Sequence, residues 1–599
     1  MWYNRWVDTV WRGENRDGSI LGTAARARGG GLYRVRHGLR LPQLAQEQNA
    51  LKPLPKRRCT CFWRGNHDRI LMYFIVFVII VSGGILMKKT LLAGMMAAAA
   101  SVMMPGMAGA EAVTADVPTG SVYYDYVDKL SGMGYIDALP DGARPYSRMQ
   151  MAKWVLQAEK NAKSKPMPAY LADELASMRQ AFASEIEVLK GHRDQEDVAL
   201  REASVQLASY GSDQASYKEG RKGEQPNAHW QPFGQGTKGY DYADGFNAVA
   251  KAEVSGNIGH KTAVSLTPRL SWNDDDDLEL KLEEGYVKTK TGIVEYLAGR
   301  QALRYGQGKT GTLVLDDTMK PMTMVQAHLE DDMPVRGFFR FLGKQNYHVF
   351  YGQLEGDRED RVVKGHTDYD HAGLLGLRAD FTPSDAFTFG LMRVSMLGGN
   401  GNALSKSDWR HWVTGHNSEA EGDRWNDIAG GDFRVRLPGV QFYGEVYGED
   451  AGGLQPTERG YRFGTYLPQL TRDGSWDMTL EYASTNPAWY VHQKYQNGWT
   501  YSDAIIGDSM GNNAKKYYLG VNHYLPGENQ IGAYFMRTQM DRGAMNHPNV
   551  YEAALTGRLK LQDHFFLDGS LGLAKIDHAD YTDRTDRNVF ATATARWQY

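Results

Sequence analysis

The side chains best placed to do chemistry are clustered acids. Asp316-Asp317 and Glu330-Asp331-Asp332 fall in loops or at strand ends, and two carboxylates at a suitable separation hydrolyse glycosidic bonds. That separation is a three-dimensional quantity that the sequence does not contain. The run from Asp274 to Asp277 offers oxygen to calcium, but consecutive acids lack the spaced ligands of a loop site, so a solvated hairpin tip is expected. Cys59 and Cys61 are the only thiols, with no second pair to complete a metal centre. No Gly-x-Ser-x-Gly, His-Glu-x-x-His or phosphate-binding glycine loop occurs, and the histidines form no triad. The expectation is a non-enzymatic chain with no cofactor and no metal.

Aromatic residues are the second concentration. Trp409 and Trp412 lie in one long polar connection, 399–426, and Trp489, Tyr490 and Trp499 in another, 485–516. The elements that hold these connections are legible around them. Near the C-terminus Val589, Ala591, Ala593, Ala595, Trp597 and Tyr599 share one face of a strand. Asn588, Phe590, Thr592, Thr594, Arg596 and Gln598 share the other. Leu278, Leu280 and Leu282 alternate with Glu279, Lys281 and Glu283 in the same way. Val440, Phe442, Gly444 and Val446 alternate with Gln441, Tyr443, Glu445 and Tyr447. Alternating segments of about 10 residues between polar turns mark a transmembrane β-barrel.

Strands are expected near 198–210, 245–259, 261–272, 278–291, 293–304, 336–343, 346–355, 371–382 and 386–397. They continue near 426–437, 440–449, 459–467, 476–485, 517–525, 529–540, 549–561, 565–577 and 588–599. The fold class is therefore an all-β transmembrane barrel of about 18 antiparallel strands, with 16 the nearest alternative, preceded by a small periplasmic α-helical module. The long connections face outward, and most Tyr and Trp are expected in girdles at the two interfaces. Outer-membrane lipid and, during biogenesis, the barrel assembly machinery are the implied partners. A soluble β-sandwich is the structural alternative.

Composition agrees with this reading. A mean hydropathy of −0.51 excludes a polytopic helical membrane protein and leaves a barrel open. Residues 1–86 hold 12 Arg and 2 Lys against 5 acids, and beyond Lys88-Lys89 the chain carries 52 basic and 66 acidic residues. That acidic remainder argues against nucleic acid as a partner.

Met87-Lys88-Lys89, the apolar run Leu91–Val102 and Ala108-Gly109-Ala110 have the order of a secretory signal peptide cleaved after Ala110. Residues 1–86 then read as an upstream leader and 87–110 as the signal. The competing reading takes the 17 apolar residues Ile70–Leu86 as a membrane anchor. Residues 111–165 read as a two-helix periplasmic module. In it Tyr123, Val127, Leu130 and Met133 share a helical face, and Ser147 with Gln150 caps a second helix. Residues 166–197 form an amphipathic helix and linker, and 198–599 the barrel. Leu171, Leu175, Met178, Phe182, Ile186 and Leu189 make a heptad-like stripe, expected to pack on its own chain rather than on another subunit.

Asp116-Val117, Gly134 and Ser147-Arg148 are placed as in a single S-layer homology repeat, a likeness that implies peptidoglycan or a cell-wall polymer as a partner. The same segment resembles the helices ahead of the barrel in Wzi-type capsule proteins. Two further stretches carry that second likeness. Gly299-Arg300-Gln301, Tyr305-Gly306-Gln307-Gly308 and Gly311-Thr312-Leu313-Val314-Leu315 resemble a Wzi-family segment, with Gln307 where Pro is usual. So do Glu481-Tyr482, Asn497-Gly498-Trp499-Thr500-Tyr501 and Ile506-Gly507-Asp508, with Asp508 where His is common. The resemblance implies an outer-membrane lectin that anchors capsular or exopolysaccharide at the cell surface. In that reading Arg300 and Tyr305 shape the site or the barrel interior beside it, and Trp489, Tyr490, Trp499 and Tyr501 supply external contact. A diffusion porin tethered through the S-layer-like module is the alternative function.

Overall fold

Alternation in the second half of the chain closes into a cylinder. The computed structural model describes residues 112–192, 197–221, 225–275, 277–329, 331–362, 367–414, 424–449, 451–452, 455–456 and 458–599. Residues 1–110, where a leader and a signal peptide are expected, and both cysteines lie outside these residues, as do Asp276 and Glu330.

The first nine barrel strands are β1 Ala199–Ser212, β2 Gly245–Asn257, β3 Thr262–Asn273, β4 Leu278–Thr291, β5 Val294–Gln301, β6 Met322–Leu329, β7 Lys344–Gln353, β8 Gly373–Ser384 and β9 Phe387–Leu397. The other nine are β10 Trp425–Leu437, β11 Val440–Gly448, β12 Arg459–Leu467, β13 Trp476–Thr485, β14 Lys515–Leu525, β15 Asn529–Gln539, β16 Asn549–Gln562, β17 Phe565–Asp577 and β18 Thr585–Gln598. All neighbours are antiparallel, and β18 pairs with β1 in the register Ala595 opposite Val205 to seal the wall. Pro268 sits at a register shift between β3 and β4, where a residue without an N–H does least harm to the ladder.

Each strand sorts its side chains as the alternation requires. On β4, Leu278 and Leu280 point outward and are 69% and 73% exposed, while Glu283 and Lys288 are buried in the lumen. On β18, Val589 and Trp597 face out, as does Tyr599 just beyond it, and Asn588, Phe590, Arg596 and Gln598 face in. An apolar belt this continuous exceeds what a water-soluble surface tolerates, and hydrocarbon is the solvent that suits it.

One strand was placed wrongly by sequence. Residues 336–343 form a 3-10 turn, Gly337–Leu342, in the β6–β7 connection. The strand that fills the wall there is β6. Its inward Met322 and Met324 are buried against other apolar groups inside the barrel, so the contrast between its faces is lost. The expected aromatic girdles are also only part of the picture. Trp476, Tyr517 and Trp597 do face outward, but Tyr286, Tyr305, Tyr443, Tyr447, Tyr524 and several more are buried within.

Turns at one end are short, such as 292–293, 385–386 and 438–439, and the helical module covers that end. Short turns mark the periplasmic side of such barrels. The module comprises α1 Tyr123–Gly132, α2 Arg148–Ala162, α3 Ala169–Ala181 and α4 Ala183–Leu189. Ser147 caps α2 by accepting the Gln150 N–H at 3.1 Å. Leu171, Leu175, Met178, Phe182 and Ile186 are buried in one core with Tyr123, Val127, Leu130 and Val155, so the stripe packs within its own chain. Docking to the barrel is polar as well as apolar. The buried Lys129 ammonium donates to Pro468 O and Gly474 O, both at 2.7 Å, and lies 4.2 Å from the centre of the Tyr524 ring.

Candidate functional site

Residues 302–321, which connect β5 to β6, turn into the lumen. Inward charges on β10 to β13 are arranged to receive them. Glu445 Oε1 accepts the backbone N–H groups of Gln307 and Gly308, each at 2.9 Å, and Oε2 accepts that of Leu313 at 2.8 Å. Glu481 accepts from Thr310 N at 3.0 Å, Thr310 Oγ1 at 2.6 Å and Tyr443 OH at 2.7 Å. Gln307 Nε2 donates to Asp432 at 2.9 Å. Gly306 is required here because a Cβ would lie 2.6 Å from Glu445 Oε1, at a φ of +147°. Carboxylates meeting backbone N–H groups in a buried setting make strong, directional bonds, so these residues form a fixed plug.

The plug is gripped from both ends. From the periplasmic side Ala143 and Arg144 pair with Tyr305 and Arg304 in a two-stranded ladder, and Gly306 N donates to Gly142 O at 2.8 Å. Lys309 meets Asp125 of α1 at 2.8 Å, and that carboxylate raises the Lys309 ammonium above its ordinary value. From the extracellular side the connection 486–514 folds down on Leu313, Val314 and Leu315. Trp499 Nε1 donates to Val314 O at 3.0 Å, and Tyr490 OH donates to Leu313 O. Asp508 pairs with Arg462 of β12 and Lys516 of β14. Burial works against its ionisation, yet those two cations hold the Asp508 carboxyl below the usual range.

Five of the six residues singled out by sequence therefore meet in one place. Tyr305, Trp489, Tyr490, Trp499 and Tyr501 belong to the same buried cluster. Trp489, Tyr490 and Trp499 are wholly enclosed, which differs from the external contact expected of them. The reason is that connection 486–514 lies over the plug instead of projecting from the rim. Arg300 stands apart at the top of β5, on the outward face, and donates to Leu282 O at 3.0 Å. Burial pushes the Tyr501 phenol up, and the Arg300 charge opposes that rise. Sequence reasoning did not find Glu445, Glu481, Arg462, Asp432 or Lys516 as plug-holders. The available signal was a charge at an inward strand position, which needs a partner when the lumen is filled.

Beside the plug a cavity of about 680 Å³ remains, between the module loop 118–122 and the extracellular connection 213–244. Phe233 stacks on Phe590 with ring centres 5.2 Å apart, and Tyr242 meets Phe590 edge-on at 4.9 Å to roof it. Its walls carry Gln206, Asn522, Thr556, Arg558, Ser570 and Thr592. Aromatic faces above a lining of hydroxyls, amides and guanidinium groups match the two chemistries of a sugar ring, apolar C–H faces and polar hydroxyls.

Comparison with known proteins places this architecture. The family model "Capsule assembly protein Wzi" matches residues 214–591. An uncharacterised 55.8 kDa protein in the cps region of Klebsiella pneumoniae is 31% identical over 160 residues, 26% of this chain and 30% of the relative, so the match spans under a third of that protein. The structure of Wzi from Escherichia coli, described as an outer-membrane protein involved in group 1 capsule assembly and a carbohydrate-binding β-barrel, superposes with a TM-score of 0.57. The two share 17% identity over 79% of this chain and 98% of that one. Pseudomonas aeruginosa OccK5 gives a TM-score of 0.40 at 8% identity over 67% of this chain and 98% of that one.

Proposed function

The chain belongs to the Wzi capsule assembly family of outer-membrane barrels, and on that footing we propose that it binds capsular or exopolysaccharide and anchors it at the cell surface as a non-enzymatic lectin. The observation that carries the proposal is the plug. A lumen crossed by residues 302–321 and pinned by Glu445 and Glu481 suits a binding barrel and opposes the porin alternative. The family and the Escherichia coli relative support the choice of ligand.

The contact surface is the extracellular cap. Arg300 at its edge meets the polymer, while the buried Tyr305, Trp489, Tyr490, Trp499 and Tyr501 set the position of that edge. The cavity under Phe233 is the enclosed part of the same surface. Asp316 serves the plug rather than hydrolysis, since it accepts from Thr318 Oγ1 at 2.6 Å and Thr312 Oγ1 at 3.3 Å. Insertion through the barrel assembly machinery and contact of the helical module with peptidoglycan or another cell-wall polymer complete the reading.

The test is binding of the producing strain's own surface polysaccharide to the purified barrel, alongside planar-bilayer conductance. Saturable binding that weakens in Arg300→Ala/Tyr501→Ala, with no large conductance steps, supports the proposal. Large steps without glycan binding favour a porin, and turnover of an oligosaccharide makes the protein an enzyme.

A further inference from the structure

Where the periplasmic module enters the barrel, three side chains from three elements converge. Asp141 comes from the loop between α1 and α2, His348 from β7 and Asp380 from β8, and one ligand atom of each lies within 4.8 Å of the others. His348 Nε2 is 3.9 Å from Asp380 Oδ2, too far for a hydrogen bond, and is buried without any hydrogen-bond partner. An imidazole nitrogen in that condition lacks what buried polar atoms almost always have.

The charge around it is also unbalanced. Arg378 is matched twice, by Asp380 at 2.6 Å and by Asp432 at 2.6 Å, so Asp141 adds a further carboxylate that Arg378 does not neutralise. A cavity of about 420 Å³ reaches Asp141 and His348, with room for water to complete a coordination shell. His328 stacks on His348 with ring centres 5.5 Å apart, which fixes the plane of the imidazole.

We propose that Asp141, His348 and Asp380 bind one divalent cation of the zinc or manganese class, which ties the periplasmic module to the barrel wall. One imidazole and two carboxylates suit that class, and bonds near 2.1 Å set neighbouring ligand atoms about 3.4 Å apart in tetrahedral geometry. The cation supplies the missing partner for His348 Nε2 and offsets the excess carboxylate. Because Gly142 hydrogen-bonds Gly306 of the plug, the same tie steadies the plug.

The experiment uses untagged, detergent-purified protein stripped with chelator and titrated separately with Zn²⁺ and Mn²⁺. Expected are one equivalent bound per chain and an upward shift of the unfolding temperature. Asp141→Asn and His348→Gln should each weaken binding by at least about tenfold. In the unmodified protein Cu²⁺ substitution should give an electron paramagnetic resonance spectrum with coupling to one imidazole nitrogen, which tests the site even if a variant does not fold. Absence of stoichiometric binding, binding unchanged in folded variants, or a spectrum without nitrogen coupling would overturn the proposal.

Discussion

Arg462 and Asp508 form an ion pair in which neither side chain is accessible to solvent. It joins the wall strand β12 to the connection that covers the mouth. Breaking a buried pair by removing one partner costs about 3–5 kcal/mol, because the other charge is left enclosed. Asp508→Ala should therefore lower the unfolding temperature of the detergent-purified barrel sharply, since Lys516 loses its partner as well. Additional loss of Arg462 in a double variant should be less than additive, and simple additivity would show that the two do not act together.

Glu445 is the point at which the plug is easiest to release. Glu445→Ala strips the acceptor from three buried N–H groups, each worth about 1–3 kcal/mol when left unsatisfied. The barrel wall does not depend on those bonds. Planar bilayers should show current steps for the variant that are absent from the parent protein, while the β-sheet circular dichroism is retained.

The helical module should respond to pH through Glu174 on α3. This buried carboxyl is pushed up to about 8, chiefly by burial, with Arg558 and Lys129 opposing and Glu528 and Asp125 reinforcing. Its Oε2 has no hydrogen-bond partner. A carboxyl with a raised folded-state value binds its proton more tightly when folded. Its contribution is complete below the unfolded value near 4.5 and is lost as pH rises through about 8. Thermal unfolding should show module stability falling across that window by up to about 4–5 kcal/mol. Glu174→Gln should flatten the profile, and an unchanged slope would assign the effect to another group.

Lipid contact is tested on β4. Leu282 faces outward and is 41% exposed. Leu282→Arg should destabilise the barrel in phospholipid vesicles by about 2–4 kcal/mol if the position lies near the bilayer centre, and less towards an interface. The same change on an inward neighbour such as Lys281 should cost little, and equal penalties on both faces would contradict the assignment of the belt.

Much of the wall was legible in the sequence because lipid and lumen impose opposite demands on alternate residues. Leu278, Leu280 and Leu282 against Glu279 and Lys281 state that demand plainly, and β18 does so over its whole length. The demand fails where something apolar occupies the interior. Met322 and Met324 face the plug, so β6 lost its signature, and the Phe-rich turn 337–342 imitated a strand. The aromatic residues from Trp489 to Tyr501 were found as a group, but not their burial. Burial depends on residues 302–321 rising to meet them, a contact between segments some 180 residues apart. Nor did periodicity reveal that Glu445 and Glu481 spend their charge on the backbone of another segment.

The pairing of β18 with β1 has a consequence for assembly. These ribbons come from opposite ends of the barrel sequence, so the seam is the longest-range ladder of the wall. Until it forms, two unpatched rims present free N–H and C=O groups to a solvent that cannot hydrate them. The register Ala595 to Val205 is the contact that leaves the cylinder without a free rim.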